Sequence, residues 1–135
     1  MAKMLLEVIT PDCLVVREEV DSVTAIGAEG EFTVLPGHAA YLPLLEIGEG
    51  HYVRDGRTEY MAIAGGIAEV SKDRVTILAE AAELGREIDA ERARAARERA
   101  LERLRKKEDV DIARAEAALQ RAVIRIKIAE KAGAA

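Results

Sequence analysis

The sequence predicts two structures in series: an antiparallel β-sandwich over residues 1–87 and an antiparallel two-helix hairpin over residues 88–135. Three observations carry this prediction. Short runs of Val, Ile and Leu recur between turn signals as far as Ala79, the spacing of a sandwich or barrel. After residue 88 the composition turns abruptly to Ala, Arg, Glu and Leu, all strong helix formers. The charge divides at the same place. Residues 1–88 hold seven Lys/Arg against sixteen Asp/Glu, net −9, and residues 89–135 hold thirteen against nine, net +4.

The strands follow in order. Leu6–Thr10 stops at Pro11-Asp12; Leu14–Val16 and Val20–Ile26 come next, ending at the turn Gly27–Gly30. Phe32–Leu35 ends at Pro36-Gly37. Tyr52–Arg54 and Thr58–Ala64 flank Asp55-Gly56, a hairpin turn in which both central residues accept φ > 0. Gly65-Gly66 is expected to break the next run, Ile67–Val70, and Arg74–Ala79 closes the series. Alternating β and α units are absent from this pattern, which argues against a dinucleotide-binding fold. With three Tyr, one Phe and no Trp, the core must be aliphatic. The single cysteine, Cys13, excludes an internal disulfide and a Cys-based zinc site; it reads as a small core residue.

Two apolar stripes mark the helices. Ala93, Ala96, Ala100 and Leu104 recur at spacings of three or four, as do Ile112, Ala115, Leu119, Ala122, Ile126 and Ala129. Lys106–Val110 is polar enough for a tight connection, Asp111 can cap the second helix and Gly133 can end it. A short connection makes the helices antiparallel neighbours. So short a pair is marginal in water unless it packs on something else. A weakly docked hairpin is free to leave its parent domain for another surface. Its +4 charge suits the −9 domain, or another acidic protein.

Several function classes are disfavoured. No apolar run approaches the ~20 residues of a membrane helix, and Glu7 comes too early for a secretory signal. His38 and His51 lie far apart, with no metal-ligand spacing and no metal expected. A basic hairpin without aromatics is a weak nucleic-acid footprint. A nucleic-acid-binding module and a hydrolase or transferase remain the alternatives to a regulatory protein.

The order of several motifs resembles the epsilon subunit of bacterial F-type ATP synthases over essentially the whole chain. They are Val8-Ile9-Thr10-Pro11-Asp12, the run Gly30-Glu31-Phe32-Thr33-Val34-Leu35-Pro36-Gly37-His38, and Ala64-Gly65-Gly66-Ile67-Ala68-Glu69-Val70. Val75–Glu83 then leads into Ile88-Asp89 and the two helices. Thr33 stands where the family often has Gly. The resemblance implies a non-catalytic rotor subunit at the cytoplasmic face of the bacterial inner membrane, peripheral and not inserted. Its implied partners are the gamma subunit, the c ring and the alpha and beta subunits, with no nucleic acid. Glu31 and His38 would be polar contacts to the c ring. The hairpin would extend into the catalytic head and inhibit ATP hydrolysis.

Some members bind ATP in the folded hairpin through Ile/Leu-Asp-x-x-Arg-Ala, present here as Ile88-Asp89-Ala90-Glu91-Arg92-Ala93. The supporting positions match at Glu83, Arg99, Arg121 and Arg125. Arg92 and Arg99 are seven apart and share a helix face with Asp89; Arg121 and Arg125 are four apart and share another. Folding would gather four guanidinium groups, for which a triphosphate is the natural occupant. The plainer alternative makes Asp89 an N-cap and the arginines a solvated face, with Glu98 and Glu102 as partners. No Gly-x-x-x-x-Gly-Lys-Ser/Thr loop occurs, so ATP would be bound and not hydrolysed.

Overall fold

The computed structural model describes residues 2–106 and 111–134. Eight strands come first: β1 Met4–Ile9, β2 Leu14–Val20, β3 Ser22–Gly27, β4 Gly30–Val34, β5 Leu44–Arg54, β6 Arg57–Val70, β7 Arg74–Ala79 and β8 Ala82–Leu84. A 3-10 turn, Gly85–Glu87, leads to helices α1 Ala90–Lys106 and α2 Ile112–Ala134. The strands hydrogen-bond in the order β2-β1-β7-β6-β5-β3-β4, with β8 on β6. All pairs are antiparallel except β1 with β7. No described helix is long and apolar enough to cross a membrane.

Strand periodicity explains the core. On β1, Met4, Leu6 and Val8 are buried while the residues between them are half-buried, the period of two that sends one face inward. They join Val75 and Ile77 of β7, Val23 and Ala25 of β3, Val34 of β4, and Met61 and Ile63 of β6 in one aliphatic cluster. Among the described residues Thr24 is the buried polar one, and its hydroxyl meets that of Thr33 at 2.9 Å. The residue that departs from the family's usual Gly therefore satisfies a group that would be costly to bury alone.

Four expectations are corrected. The strand over Tyr52–Arg54 begins at Leu44, because Gly48 and Gly50 hide its alternation; the space beside them is filled by Ile26 and Ile63. Gly65-Gly66 does not break β6. Both glycines have positive φ, 77° and 128°, and the strand changes partner there, from β8 at residues 61–63 to β7 at residues 66–70. Cys13 is exposed, because it falls in the β1–β2 turn, where its N–H donates to Thr10 Oγ1 at 3.3 Å. Gly133 does not end α2, which runs through it to Ala134. The Asp55-Gly56 turn is as read, with φ of 50° and 78°.

The helices pack as neighbours through alanine. Ala93, Ala100, Ala115 and Ala122 are all almost fully buried. Asp111 accepts the Arg114 N–H at 3.1 Å and caps α2; the expected connection Lys106–Val110 lies outside the described residues after Lys106. Ile112 is exposed because it starts the helix, and Ile128, off the expected stripe, is completely buried. Its burial reflects a second apolar face: α2 lies against β5, β6 and the 3-10 turn as well as α1. The buried side chains of α1 are Ala93 and Ala100, one methyl each and worth about 1 kcal/mol apiece. Its hold on the molecule is correspondingly thin.

Gly85 is the seat for α2. A Cβ there would stand 2.9 Å from Ala132 Cβ and 3.0 Å from Ile128 Cγ2. Gly85→Ala is expected to weaken the docking of α2 by about 1–3 kcal/mol and leave the sandwich folded. Amide hydrogen exchange should show α2 deprotected and β1 and β7 unchanged; equal protection of α2 in both proteins would refute the seat.

Candidate functional site: a basic groove between the helices and the sandwich

Local folding brings most of the motif residues to one groove. The 3-10 turn ends at Ile88, which is extended (φ −75°, ψ 127°) and half-buried. Asp89 follows as the N-cap of α1. Its side chain accepts the Arg92 N–H at 3.1 Å and its carbonyl accepts the Ala93 N–H at 3.0 Å. The carboxylate is exposed and suits the positive end of the helix. Ala93 is fully buried against α2, so the motif's alanine sets the closeness of the helices.

Arg92 of α1 and Arg121 and Arg125 of α2 line a groove of 420 Å³ with Glu83 of β8, within the size range of ligand pockets. Its walls are otherwise Ala81, Ala96, Ala118 and Ala122. Short alanine side chains leave the groove open. The helix stripe marked Ala96 and Ala122 in the sequence as packing residues; Ala81 and Ala118 carried no signal. A narrower apolar cleft adjoins it, lined by Ile47, Ile63, Ala64 and Ile124, and shares Glu83, Arg121 and Arg125. Arg99 does not line the groove. It is exposed two turns further along α1, about 10 Å from Arg92 along the axis.

The electrostatics are unbalanced. Three guanidinium groups face one carboxylate. Arg125 Nε lies 2.7 Å from Glu83 Oε1, but it is buried and its N–H is not aligned for a hydrogen bond. The pair supplies attraction without satisfying that donor. Such an arrangement can receive an anion with several acceptor oxygens at the mouth.

A second surface lies on the sandwich. Register places Leu14 opposite Ile9, Ile9 opposite Leu78, Leu78 opposite Ile67, and Ile67 opposite Leu44. One apolar row thus crosses five strands on an outer face. Leu14, Leu78 and Leu44 are 53%, 47% and 64% exposed, and Leu42 and Tyr41, just before β5, are exposed as well. Aliphatic rows left open to water mark contact surfaces. At that end, Glu31 is exposed on β4, and His38 sits in the loop after Gly37 with Nδ1 2.7 Å from the Ala39 carbonyl. The His38 ring lies 6.3 Å from that of Tyr41.

Comparison with known proteins matches both parts of the chain. Residues 3–85 fit the family model of the ATP synthase delta/epsilon chain β-sandwich domain, and residues 86–130 that of its long α-helix domain. The ATP synthase epsilon chain of Geotalea uraniireducens is 52% identical over 132 residues, 96% of each chain. That of Geotalea daltonii is 50% identical over 133 residues, 97% of this chain and 96% of the other. Among solved structures, a chain of the Euglena gracilis mitochondrial ATP synthase superposes with a TM-score of 0.76 at 28% identity, covering 89% of this chain and 77% of that one. A chain from the central stalk and c ring of the Tetrahymena thermophila enzyme shares the fold, with a TM-score of 0.61 at 16% identity over 96% of each. With both parts matched in order and full-length relatives half identical in sequence, the chain belongs to the ATP synthase delta/epsilon chain family.

Proposed function

We propose that the chain is a non-catalytic rotor subunit in the central stalk of an F-type ATP synthase, peripheral at the cytoplasmic membrane face, whose hairpin inhibits ATP hydrolysis when released and is held down by ATP. The sandwich is the stalk-bound part. Its apolar row is the surface offered to the gamma subunit, and Glu31, His38 and the leucines beside them face the c ring. The hairpin is the mobile part, and the alpha and beta subunits are its partners in the released state. α1 touches the sandwich hardly at all and α2 carries the docking; that single attachment and the opposite charges of hairpin and sandwich support an equilibrium between docked and released forms.

The observation that carries the ATP reading is the meeting of Arg92, Arg121 and Arg125 in one groove. These groups come from both helices, so the groove exists only while the hairpin is folded. A triphosphate there offsets their mutual repulsion and binds the docked state selectively. At about 100 times its dissociation constant it would stabilise that state by roughly 2.7 kcal/mol. Glu83, Ile88, Asp89, Ala93 and Arg99 complete the proposed set in unequal roles. Asp89 and Ala93 act through helix geometry, Glu83 orients Arg125, and Arg99 reaches the ligand only by turning along α1.

Calorimetric titration of the isolated chain with ATP tests the reading. Arg92→Ala is the clean variant, because Arg92 is exposed and caps nothing, whereas Asp89→Ala also removes an N-cap worth about 1 kcal/mol. Saturable binding without release of ADP is expected, weakened about tenfold or more in Arg92→Ala and Arg121→Ala. Equal affinity in all three proteins would refute the site, and steady ADP production would refute the non-catalytic assignment.

A further inference from the structure

Among the described residues two ion pairs join α2 to the sandwich, and strand register sets their spacing. Glu49 of β5 lies opposite Ala62 of β6, and Ala62 lies opposite Glu83 of β8. The two carboxylates therefore belong to one row across the sheet, two strand spacings or about 10 Å apart. α2 lies against β5 and β6, and a helix is about as wide as that gap. On one side Arg125 reaches Glu83, with Nε 2.7 Å from Oε1. On the other Lys131 donates a hydrogen bond to Glu49 Oε1. Ile128, completely buried against the Gly85 seat, is midway between the two cations in the chain. At 3.6 residues per turn they stand about 60° to either side of it around the helix. Each pair therefore opposes the roll of α2 that the other favours.

We infer that Glu49, Tyr60 and Lys131 are positioning residues for the basic groove: from outside it, they set how Arg121 and Arg125 face an incoming nucleotide. None of the three lines the groove, and Lys131 is six residues beyond Arg125, about 9 Å along the axis. A fully exposed ion pair would contribute little to such a hold. Here the Glu49 and Lys131 side chains are only 19% and 37% exposed, and the ammonium stands 5.4 Å over the Tyr60 ring. A cation–π contact in a partly dry setting therefore adds to the pair. Burial acts to raise the Glu49 carboxyl, but the hydrogen bond and charge of Lys131 outweigh it and hold the group below its ordinary value. The same bond, against a smaller opposing effect of burial, raises the Lys131 ammonium. Both ends thus carry their charge at neutral pH. Without this clasp the Arg125–Glu83 pair is the ionic tie that remains, and α2 is free to roll about Ile128. That motion carries Arg121 and Arg125 away from the positions in which they converge with Arg92.

This inference rests on the reading of the groove as an ATP site, and calorimetric titration of the full chain with ATP tests the two separately. Lys131→Met and Glu49→Gln should each weaken binding by about fivefold or more, because each leaves a half-buried charge without its partner. The double variant should bind no more weakly than the weaker single one, as expected of two groups that act as a unit. Lys131→Arg keeps the charge and can stack on Tyr60, and should restore affinity to within about twofold of the native chain. Native affinity in both single variants, losses that simply multiply in the double variant, or no recovery in Lys131→Arg would each overturn the clasp while leaving the ATP site in place. Failure of the native chain to bind ATP would overturn the site and the positioning role with it.

Discussion

Replacing Gly66 by alanine is expected to cost the sandwich about 3–5 kcal/mol, a large share of a typical domain's stability. Two effects add. The residue adopts φ +128°, a conformation that L side chains rarely hold. An added Cβ would also lie 2.2 Å from the Leu78 carbonyl oxygen and 2.8 Å from Ala79 Cα. Both are backbone atoms in the neighbouring strand, so no side chain can turn aside to make room. The ladder between β6 and β7 would have to part where Gly66 pairs with Ala79. Thermal unfolding should show Tm lowered by more than about 10 °C. A fall of one or two degrees would mean that β6 relaxes at the partner change and that the glycine is dispensable.

Placing a charge at position 78 should have little effect on folding and a large effect on assembly. Leu78 is 47% exposed on the outer face, so Leu78→Asp should alter stability by less than about 1 kcal/mol. The residue is central in the apolar row, between Ile9 and Ile67. A partner that covers the row would bury an unpaired carboxylate against aliphatic side chains, at a cost of several kcal/mol. Affinity for the gamma subunit should fall at least about a hundredfold, or roughly 2.7 kcal/mol. Titration of gamma with native and variant chains, alongside their unfolding curves, separates the two effects. Undiminished affinity in a folded variant would show that gamma docks elsewhere.

The two halves of the chain differ in what they bury, and composition already expresses the difference. The sandwich buries Met, Leu, Val and Ile from all eight strands in one cluster, which favours a stable body. The fully buried side chains of α1 are two alanine methyls, with Leu101 and Leu104 only half-buried. Gly85 beneath α2 and the Glu49–Lys131 pair are independent fastenings on the sandwich. Each adjusts the docking equilibrium without touching the arginines of the groove. On the proposed reading, Gly85→Ala in a reassembled complex should therefore deepen inhibition and lower apparent ATP affinity through the docking equilibrium alone.

Local pattern determined the sandwich followed by a hairpin, because strand alternation, Asp55-Gly56, the alanine stripes and the cap at Asp111 each act within a few residues. The family resemblance marked Arg92, Arg99, Arg121 and Arg125 as a candidate cluster, with helix spacing consistent for each pair. Tertiary structure decided the rest, because those features arise from residues distant in the chain. Strand register alone aligned Leu14, Ile9, Leu78, Ile67 and Leu44 into a row. The partner change at Gly66 needed β7 and β8 to be in place, and left a strand running through what reads locally as a breaker. Arg99, two turns beyond Arg92 on α1, fell outside the groove that the fold closed around the other three arginines. Ile128 and Lys131 acquired their roles only when α2 turned a second face to β5 and the 3-10 turn, a choice set by docking rather than by helical period.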